Sequence, residues 1–307
     1  MIPGAVRIAA AASLLLAMSG KPAVAETLDA TASRCGSAQG IPFDRTIAAC
    51  TALLQNSASR SSAELWTAYY VRGTAYAAIL DSAHALADFD AALRLNPDFP
   101  EAIRGRGVVE MNEKKYDLAI ADFTASLRLK PDYGDALYNR GMAHLSRGDA
   151  VAAQTDLEAA QRISPQSPNV FFMLGTALKD QGDYPHAIEA FDRVIEAKAP
   201  VVYQLALTSR GQAFVAQGDD ARAMADFETC IREFPQFADG YDRRGLLLEK
   251  NGDTAPALAD FDLAIKYNPG MSSYLSHRAA LEEKLGKHAD AAKDLARAKE
   301  LTDTKAR

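Results

Sequence analysis

The chain has 307 residues, of which 34 are basic and 40 are acidic, for a formal net charge of −6. Acidic and basic residues are interleaved, so no basic run supplies the cationic face that a phosphate-binding surface requires. We therefore expect no nucleic-acid partner. The length would suit two ordinary domains, but the internal repetition described below favours one elongated domain that grows by adding units.

The first 25 residues differ in composition from the rest of the chain. Arg7 precedes an alanine- and leucine-rich run over residues 8–18, and residues 23–25 are Ala-Val-Ala. This pattern is typical of a secretory signal peptide, and the run is too short to anchor a protein in a bilayer. The sequence predicts removal of residues 1–25 and a mature protein that is periplasmic or secreted, without stable membrane insertion. An uncleaved membrane tether is the alternative.

Residues 26–62 are predicted to form an N-terminal cap with a partial repeat, including a helix over residues 41–54. Export would place the protein in an oxidising compartment, where Cys35 and Cys50 can form a disulfide. That disulfide would close a loop of about 15 residues and stabilise the fold by about 3 kcal/mol in the chain-entropy model. Cys230 is then unpaired and is predicted to be a buried, inert thiol.

A glycine or alanine is followed twelve residues later by an alanine, seven times along the chain. The copies lie 34 residues apart, except that the step from Gly175 to Gly211 is two residues longer. A phenylalanine or leucine follows each alanine by four residues, one turn along the same helical face. A period of this length is typical of stacked helical units rather than of a globular enzyme. The small residues are Gly73, Gly107, Gly141, Gly175, Gly211, Gly245 and Ala279; the alanines are Ala85, Ala119, Ala153, Ala187, Ala223, Ala257 and Ala291; the third position has Phe89, Phe123, Leu157, Phe191, Phe227, Phe261 and Leu295.

Each copy contains a break between the glycine and the alanine, written Gly-Asp in four of the seven copies. A glycine there can adopt the left-handed conformation that ends one helix, and the aspartate can cap the next helix. Each copy is therefore predicted to be a helix, a tight turn and a second helix. Ser61 and Glu64 are predicted to form a capping box at the start of the first copy, and Pro168 is predicted to begin the fourth.

The pattern of glycine, alanine, aromatic residue and closing proline resembles the tetratricopeptide repeat family, in the form of an exported bacterial protein. The resemblance covers residues 63–301 and leaves a tail at residues 302–307. It implies an all-α fold, namely a right-handed superhelical solenoid of about seven helix-turn-helix units after the disulfide-stapled cap. It also implies a concave groove lined mainly by the first helix of each unit.

In six copies an arginine directly precedes the glycine or alanine, and an aspartate follows that arginine by sixteen residues. A row of arginines could bind anions, but in the fourth copy both positions change together, to Leu174 and Ala190. This joint loss favours an ion pair between the two helices of each copy. The pairs are Arg72 with Asp88, Arg106 with Asp122, Arg140 with Asp156, Arg210 with Asp226, Arg244 with Asp260 and Arg278 with Asp294.

No motif in the sequence predicts catalysis, a cofactor or a metal site. The five histidines are scattered without a cysteine or carboxylate at ligand spacing, and no phosphate-binding glycine loop or nucleophile elbow occurs. Carboxylates such as Glu110 occur singly on helices, without the second carboxylate of an acid–base pair. We therefore expect a protein that is not an enzyme, although a site assembled across repeats would leave no local motif.

The lining of the predicted groove changes from aromatic and apolar residues in the first repeats to charged residues in the last two. Tyr138, Met142 and Leu145 lie at helical spacing and would form an apolar patch with Phe172. That patch is either a ligand site or packing between neighbouring first helices. The candidate groove residues are Tyr70, Arg104, Met111, Tyr138, Met142, Leu145, Phe172, Thr176, Lys179, Leu205, Asp239 and Asp242.

Three functions are compatible with these features. The leading hypothesis is a non-catalytic protein–protein interaction scaffold of the cell envelope that binds a peptide or helix of a partner in the groove. The second is a recognition module for a cell-wall glycan or peptide fragment, in which Tyr70, Tyr138 and Phe172 stack on sugar rings and Asp239 and Asp242 accept hydroxyl hydrogen bonds. The third is a hydrolase with a site built across repeats. An exposed terminal repeat could also mediate self-association.

Overall fold

A computed structural model describes Cys35 and residues 42–306, so the predicted signal peptide lies outside the described residues. Residues 42–306 form fifteen α-helices and a short 3₁₀ turn at Ser57–Ser59, and they contain no strand, which confirms the all-α fold. No helix in this part of the chain has both the length and the apolar character needed to cross a membrane. The helices are α1 (Phe43–Gln55), α2 (Ser62–Ala78), α3 (Ser82–Leu95), α4 (Pro100–Asn112), α5 (Tyr116–Leu129), α6 (Gly134–Arg147), α7 (Ala150–Ile163), α8 (Pro168–Asp180), α9 (Tyr184–Glu196), α10 (Tyr203–Ala216), α11 (Asp220–Glu233), α12 (Ala238–Lys250), α13 (Thr254–Tyr267), α14 (Ser272–Lys284) and α15 (His288–Ala306).

The contacts between helices divide the chain into two compact units, Met1–Met173 and Leu174–Arg307, with the division inside α8. In the N-terminal unit each helix from α1 to α7 packs against the next, and in the C-terminal unit each helix from α9 to α15 does the same. First helices also contact first helices, α2 with α4 and α4 with α6 in one unit, α10 with α12 and α12 with α14 in the other. Each unit is thus a run of helix pairs, and we call the surface of these first helices the first-helix face.

In the six repeats that have a glycine at this position, a phenylalanine ring or a leucine lies directly against it. A Cβ atom added to Gly245 would stand 2.8 Å from the ring of Phe261, closer than real Cβ contacts come. The ring of Phe89 lies equally close, at 2.8 Å, to the Cβ position of Gly105 in the following repeat. This aromatic position therefore packs the two helices of one repeat together and also joins that repeat to the next. Six of its seven members, Phe89, Phe123, Leu157, Phe191, Phe227 and Phe261, are at most 1% exposed, whereas Leu295 of the last repeat is 49% exposed.

The turns inside the repeats follow the Gly-Asp prediction with one exception. The aspartate side chain accepts a hydrogen bond from a backbone N–H of the next helix at Asp149, Asp183 and Asp219. The side chain of Asp253 makes no capping hydrogen bond, so the prediction is wrong at that turn. The glycines have the predicted positive φ, of 88° at Gly148, 82° at Gly182, 80° at Gly218 and 90° at Gly252.

The predicted disulfide joins Cys35 to Cys50. Both cysteines are buried in one cluster with Leu53 of α1 and with Ala68 and Val71 of α2. The cap is therefore held to the first repeat by apolar packing as well as by the covalent bond.

The helix ends agree with the sequence at the start of the repeats and differ at the end. Ser61 and Glu64 form the predicted capping box, and α8 begins at Pro168 as expected. The last helix continues to Ala306, five residues past Leu301, where the repeats were predicted to end.

Candidate binding surface on the first helices

All six predicted arginine–aspartate pairs are present between the two helices of their repeats. In every pair Nε and Nη2 of the arginine donate to the two carboxylate oxygens, at 2.6–2.9 Å. The aspartate side chains are only 5–12% exposed. Such two-point contacts fix the angle between two helices. These arginines are therefore structural and do not form an anion-binding row.

The sequence interpretation missed a second acceptor residue for five of these six arginines. Nη1 of Arg106 donates to Asp90 at 2.7 Å, and Nη1 of Arg140 donates to Thr124 at 3.0 Å. Both acceptors lie on the second helix of the preceding repeat, so each arginine ties three helices together. For Arg106, Arg140 and Arg278 the available signal was a polar residue sixteen residues before the arginine. The same contact joins Arg72 to Thr51, Arg210 to Asp192 and Arg278 to Asp262.

Arg104 is buried in the first-helix face of the N-terminal unit, where it is 1% exposed. Its Nε donates to the hydroxyl of Tyr133 at 2.8 Å, and its guanidinium lies 5.4 Å from the centre of that ring. Burial lowers the pKa of Arg104, but Tyr133, Tyr70 and Asp135 raise that pKa above its usual value. Burial raises the pKa of Tyr133 to about 12. Nη1 of Arg104 is buried and has no hydrogen-bond partner.

A second buried donor without a partner lies on the next first helix. Asn139 of α6 is 2% exposed, and its Nδ2 atom makes no hydrogen bond. Tyr70 of α2 is partly exposed, and burial of its hydroxyl raises its pKa. The ring of Phe99 lies 4.8 Å from that of Tyr70 and 4.6 Å from that of Trp66. This end of the face therefore combines aromatic rings with unpaired N–H donors.

The predicted apolar patch belongs to the packed interior. Tyr138, Met142, Leu145 and Phe172 are 7%, 2%, 8% and 7% exposed, and Met111 is 7% exposed. Burial also raises the pKa of Tyr138. Apolar side chains bind a ligand through their accessible surface, so these exposures favour the packing interpretation over an exposed apolar patch.

Besides Asp239, three of the predicted groove residues in the C-terminal unit are accessible. Thr176 and Lys179 of α8 and Leu205 of α10 are partly exposed. Nζ of Lys179 lies 3.3 Å from a carboxylate oxygen of Asp180, its neighbour in sequence. These residues present a mixed polar and apolar surface to solvent.

Asp239 and Asp242 of α12 lie in a polar cluster with Arg243 and with His277 of α14. Asp242 is 0% exposed, and its Oδ1 lies 2.7 Å from Nδ1 of His277. Its second oxygen, Oδ2, is buried and has no hydrogen-bond partner. Asp239 lies 3.3 Å from Nη2 of Arg243, whose Nε is also buried and unpaired. Burial raises the pKa of Asp239, with Arg243 opposing the shift and Asp242 adding to it.

Sequence reasoning missed the role of His277, which it took for a scattered histidine. Its spacing of 35 residues from Asp242 places it one repeat further along the same face, and that spacing was the available signal.

Cys230 is 0% exposed, and burial raises the pKa of its thiol to about 12, which confirms a buried, inert thiol. Among the described residues, no group of three or more histidine, cysteine, aspartate or glutamate side chains is placed to hold a metal ion.

The succession of helix pairs and the glycine–aromatic contacts define a helical repeat protein. A family model described as tetratricopeptide repeat matches residues 70–133, 111–168, 172–236 and 243–306, which is more than half of the chain. The chain therefore belongs to the tetratricopeptide repeat family. None of the curated proteins compared with the sequence matched it.

Solved structures with the same fold are distant in sequence. A tetratricopeptide repeat protein from Parabacteroides merdae is similar with a TM-score of 0.61 and 18% identity, over 78% of this chain and 92% of that chain. The Pseudomonas aeruginosa protein pilF is similar with a TM-score of 0.55 and 16% identity, over 64% of this chain and 88% of that one. At these identities the likeness concerns the fold.

Proposed function

We propose that the protein is a non-catalytic scaffold that binds a segment of a partner protein along its first-helix face. Membership of the tetratricopeptide repeat family supports a role in protein interaction. The observation that carries the proposal is the set of buried side-chain atoms without partners on this face, in Arg104, Asn139 and Asp242. Buried polar groups are normally hydrogen-bonded, and an unpaired one costs about 1–3 kcal/mol.

A peptide segment suits this surface because it carries both kinds of hydrogen-bonding group. On the N-terminal unit, carbonyl oxygens of a bound segment can accept from Arg104 and Asn139. On the C-terminal unit, N–H groups or side-chain donors of a bound segment can donate to Asp242. Partly exposed side chains such as Tyr70 and Leu205 supply apolar contacts beside these polar groups.

We further propose that the scaffold acts in the cell envelope, as a periplasmic or secreted protein. Two features support this location, the signal-like composition of residues 1–25 and the disulfide between Cys35 and Cys50. Disulfides persist mainly in oxidising compartments. Mass spectrometry of the protein from its native cells is expected to find Glu26 at the N-terminus. Recovery of Met1 in the mature protein would contradict the proposed cleavage.

The glycan hypothesis has less support. A sugar ring stacks on an accessible aromatic face, whereas Tyr138 and Phe172 are each 7% exposed. A peptide segment therefore remains the ligand that we propose.

Site-specific photocrosslinking tests the binding surface. A photoreactive residue at Leu205 should capture one partner in its native cells, because that side chain is partly exposed on the first-helix face. The matched control places the same residue at Glu189, an exposed position on the second helix α9. Equal capture of the same protein at both positions would contradict binding along the first-helix face.

A further inference from the structure

We infer that the C-terminal unit binds a cationic side chain, the lysine or arginine of a partner segment, at Asp242. This inference rests on the proposed role in peptide binding and adds the chemistry of one contact. It concerns the polar cluster formed by Asp239, Asp242 and Arg243 of α12 with His277 of α14.

The first argument is the state of the Asp242 carboxylate. The residue is 0% exposed, and only one of its oxygens has a partner, His277. The other oxygen, Oδ2, is buried and makes no hydrogen bond. An isolated buried carboxylate is strongly unfavourable unless a donor and a counter-charge complete it. Oδ2 of Asp242 therefore lacks a hydrogen-bond donor.

The second argument is the charge of the cluster. It holds two carboxylates, Asp239 and Asp242, against one arginine, Arg243, which is bonded to the first of them at 3.3 Å, so with His277 neutral the cluster carries one net negative charge. Both aspartates also act on Tyr274 of α14, whose pKa is raised by burial and by the two carboxylates, with Arg243 opposing the shift. An anionic ligand would be repelled here, and a neutral donor would satisfy Oδ2 without balancing the charge. An ammonium or guanidinium group donates a hydrogen bond to Oδ2 and also balances the negative charge.

The third argument is the shape of the access. The side chains of Asp239, Arg243 and His277 are 21%, 32% and 30% exposed, so they are the accessible neighbours through which a ligand would reach the buried Asp242. Lysine and arginine carry their charge at the end of a long, thin apolar stem, which suits entry past these side chains. Nε of Arg243 is also buried without a partner, so a backbone carbonyl of the same segment can accept from it. One ligand thus completes two unpaired atoms on adjacent residues.

Small probes test this site without knowledge of the natural partner. N-acetyl-lysine methylamide and N-acetyl-arginine methylamide are titrated into the full chain, and binding is followed by two-dimensional NMR. Their uncharged analogues, N-acetyl-norleucine methylamide and N-acetyl-citrulline methylamide, are titrated in parallel. We expect saturable shifts in α12 and α14 with the two cations and at least tenfold weaker binding of the neutral analogues.

The variant Asp242→Asn should weaken binding of both cations by at least tenfold, because the amide keeps the shape of the side chain and removes its charge. Asp253→Asn is the matched control, since Asp253 is an exposed carboxylate in the same unit whose side chain caps no helix. Unchanged binding by Asp242→Asn, or equal binding of norleucine and lysine probes, would overturn the inference. The comparison between charged and neutral probes uses the unmodified chain, so it holds even if the variant fails to fold. Crosslinking at Leu205 is independent of these outcomes and reports on the scaffold role alone.

Discussion

The N-terminal and C-terminal units follow one repeat pattern, but their first helices leave different polar groups unpaired. Among the fully buried side chains on the first helices of the N-terminal unit, the unpaired atoms are N–H donors, in Arg104 and Asn139, whereas Glu110, which has an unpaired oxygen, is only partly buried. In the C-terminal unit the fully buried group is an acceptor, the carboxylate of Asp242. The residues that join helix to helix recur from repeat to repeat, whereas those on the first-helix face vary. The two units can therefore share a mechanism of stability and still recognise different chemistry.

The units also differ in their turns and in the second acceptor residues of their arginines. In the N-terminal unit the first two turns have Leu80 and Lys114 at positive φ and the third has Gly148, whereas the turns of the C-terminal unit at Gly182, Gly218 and Gly252 all have glycine. The four predictions below use these differences, in order of decreasing effect.

The largest effect is expected from removing an arginine that ties three helices. Arg210→Met in the C-terminal unit leaves two carboxylates, Asp192 and Asp226, without their shared cation. We expect a loss of about 3–5 kcal/mol in the free energy of unfolding, because a buried charge without its partner is costly. Burial already raises the pKa of Asp226, and loss of Arg210 should raise that pKa further. Urea unfolding at constant pH measures the loss.

The matching variant in the N-terminal unit is Arg140→Met, which leaves Asp156 beside the neutral Thr124. A smaller loss is expected there, since only one carboxylate is left without a counter-charge. Replacing arginine and aspartate together by leucine and alanine, as in the fourth repeat, should recover part of the stability. Additive losses from the two positions would contradict the pairing.

The disulfide should stabilise the N-terminal unit by about 3 kcal/mol, because it closes a loop of about 15 residues in the unfolded chain. Replacing Cys35 and Cys50 together by serine should speed amide hydrogen exchange in α1 and α2. The same measurement on α12 to α14 should show no change. Cys230→Ala is the control for loss of a buried cysteine without a disulfide. Equal acceleration in both units would contradict a local role for the disulfide.

Glu110 should make the stability of the N-terminal unit depend on pH. Burial raises the pKa of Glu110 to about 7, with Asp122 adding to the shift and Arg106 opposing it, and one of its oxygens is buried without a partner. A carboxyl whose pKa is higher in the folded than in the unfolded state destabilises the fold as the pH rises from about 4.5 to about 7. Glu110→Gln should remove this dependence and stabilise the protein at pH 8 by about 1 kcal/mol. Solvent screens the partly exposed carboxylate, which keeps the expected gain this small.

Unfolding measured at pH 5 and pH 8 checks the effect of Glu110→Gln. Asp98→Asn, which removes an exposed carboxylate from the same unit, is the control. An unchanged pH dependence in Glu110→Gln would show that the carboxyl is not the source.

The smallest effect is expected from exchanging turn residues between the units. Lys114→Gly should stabilise the protein by about 0.5 kcal/mol, since relief of the left-handed strain exceeds the entropy that glycine loses on folding. Gly218→Lys, at the equivalent turn of the C-terminal unit, should destabilise it by about 1 kcal/mol. Thermal melting of both variants measures the difference. Shifts of the same sign would contradict the strain argument.

The sequence by itself determined the features that lie within one repeat. The helix pairs, the left-handed glycines and the pairing of Arg140 with Asp156 all follow from spacings shorter than a repeat, and all are confirmed. Contacts at this range depend on one helical hairpin, whose geometry is nearly the same in every copy.

Only the tertiary structure decided which side chains of the first-helix face are buried and which of their polar atoms lack partners. Burial of Tyr138 and Met142, the unpaired Nη1 of Arg104 and the contact of Asp242 with His277 all depend on how closely neighbouring repeats cover one another. A repeat period fixes which residues recur and leaves open the angle and depth at which successive repeats pack. Side-chain volumes summed over several helices set that packing, and no local spacing in the sequence records it.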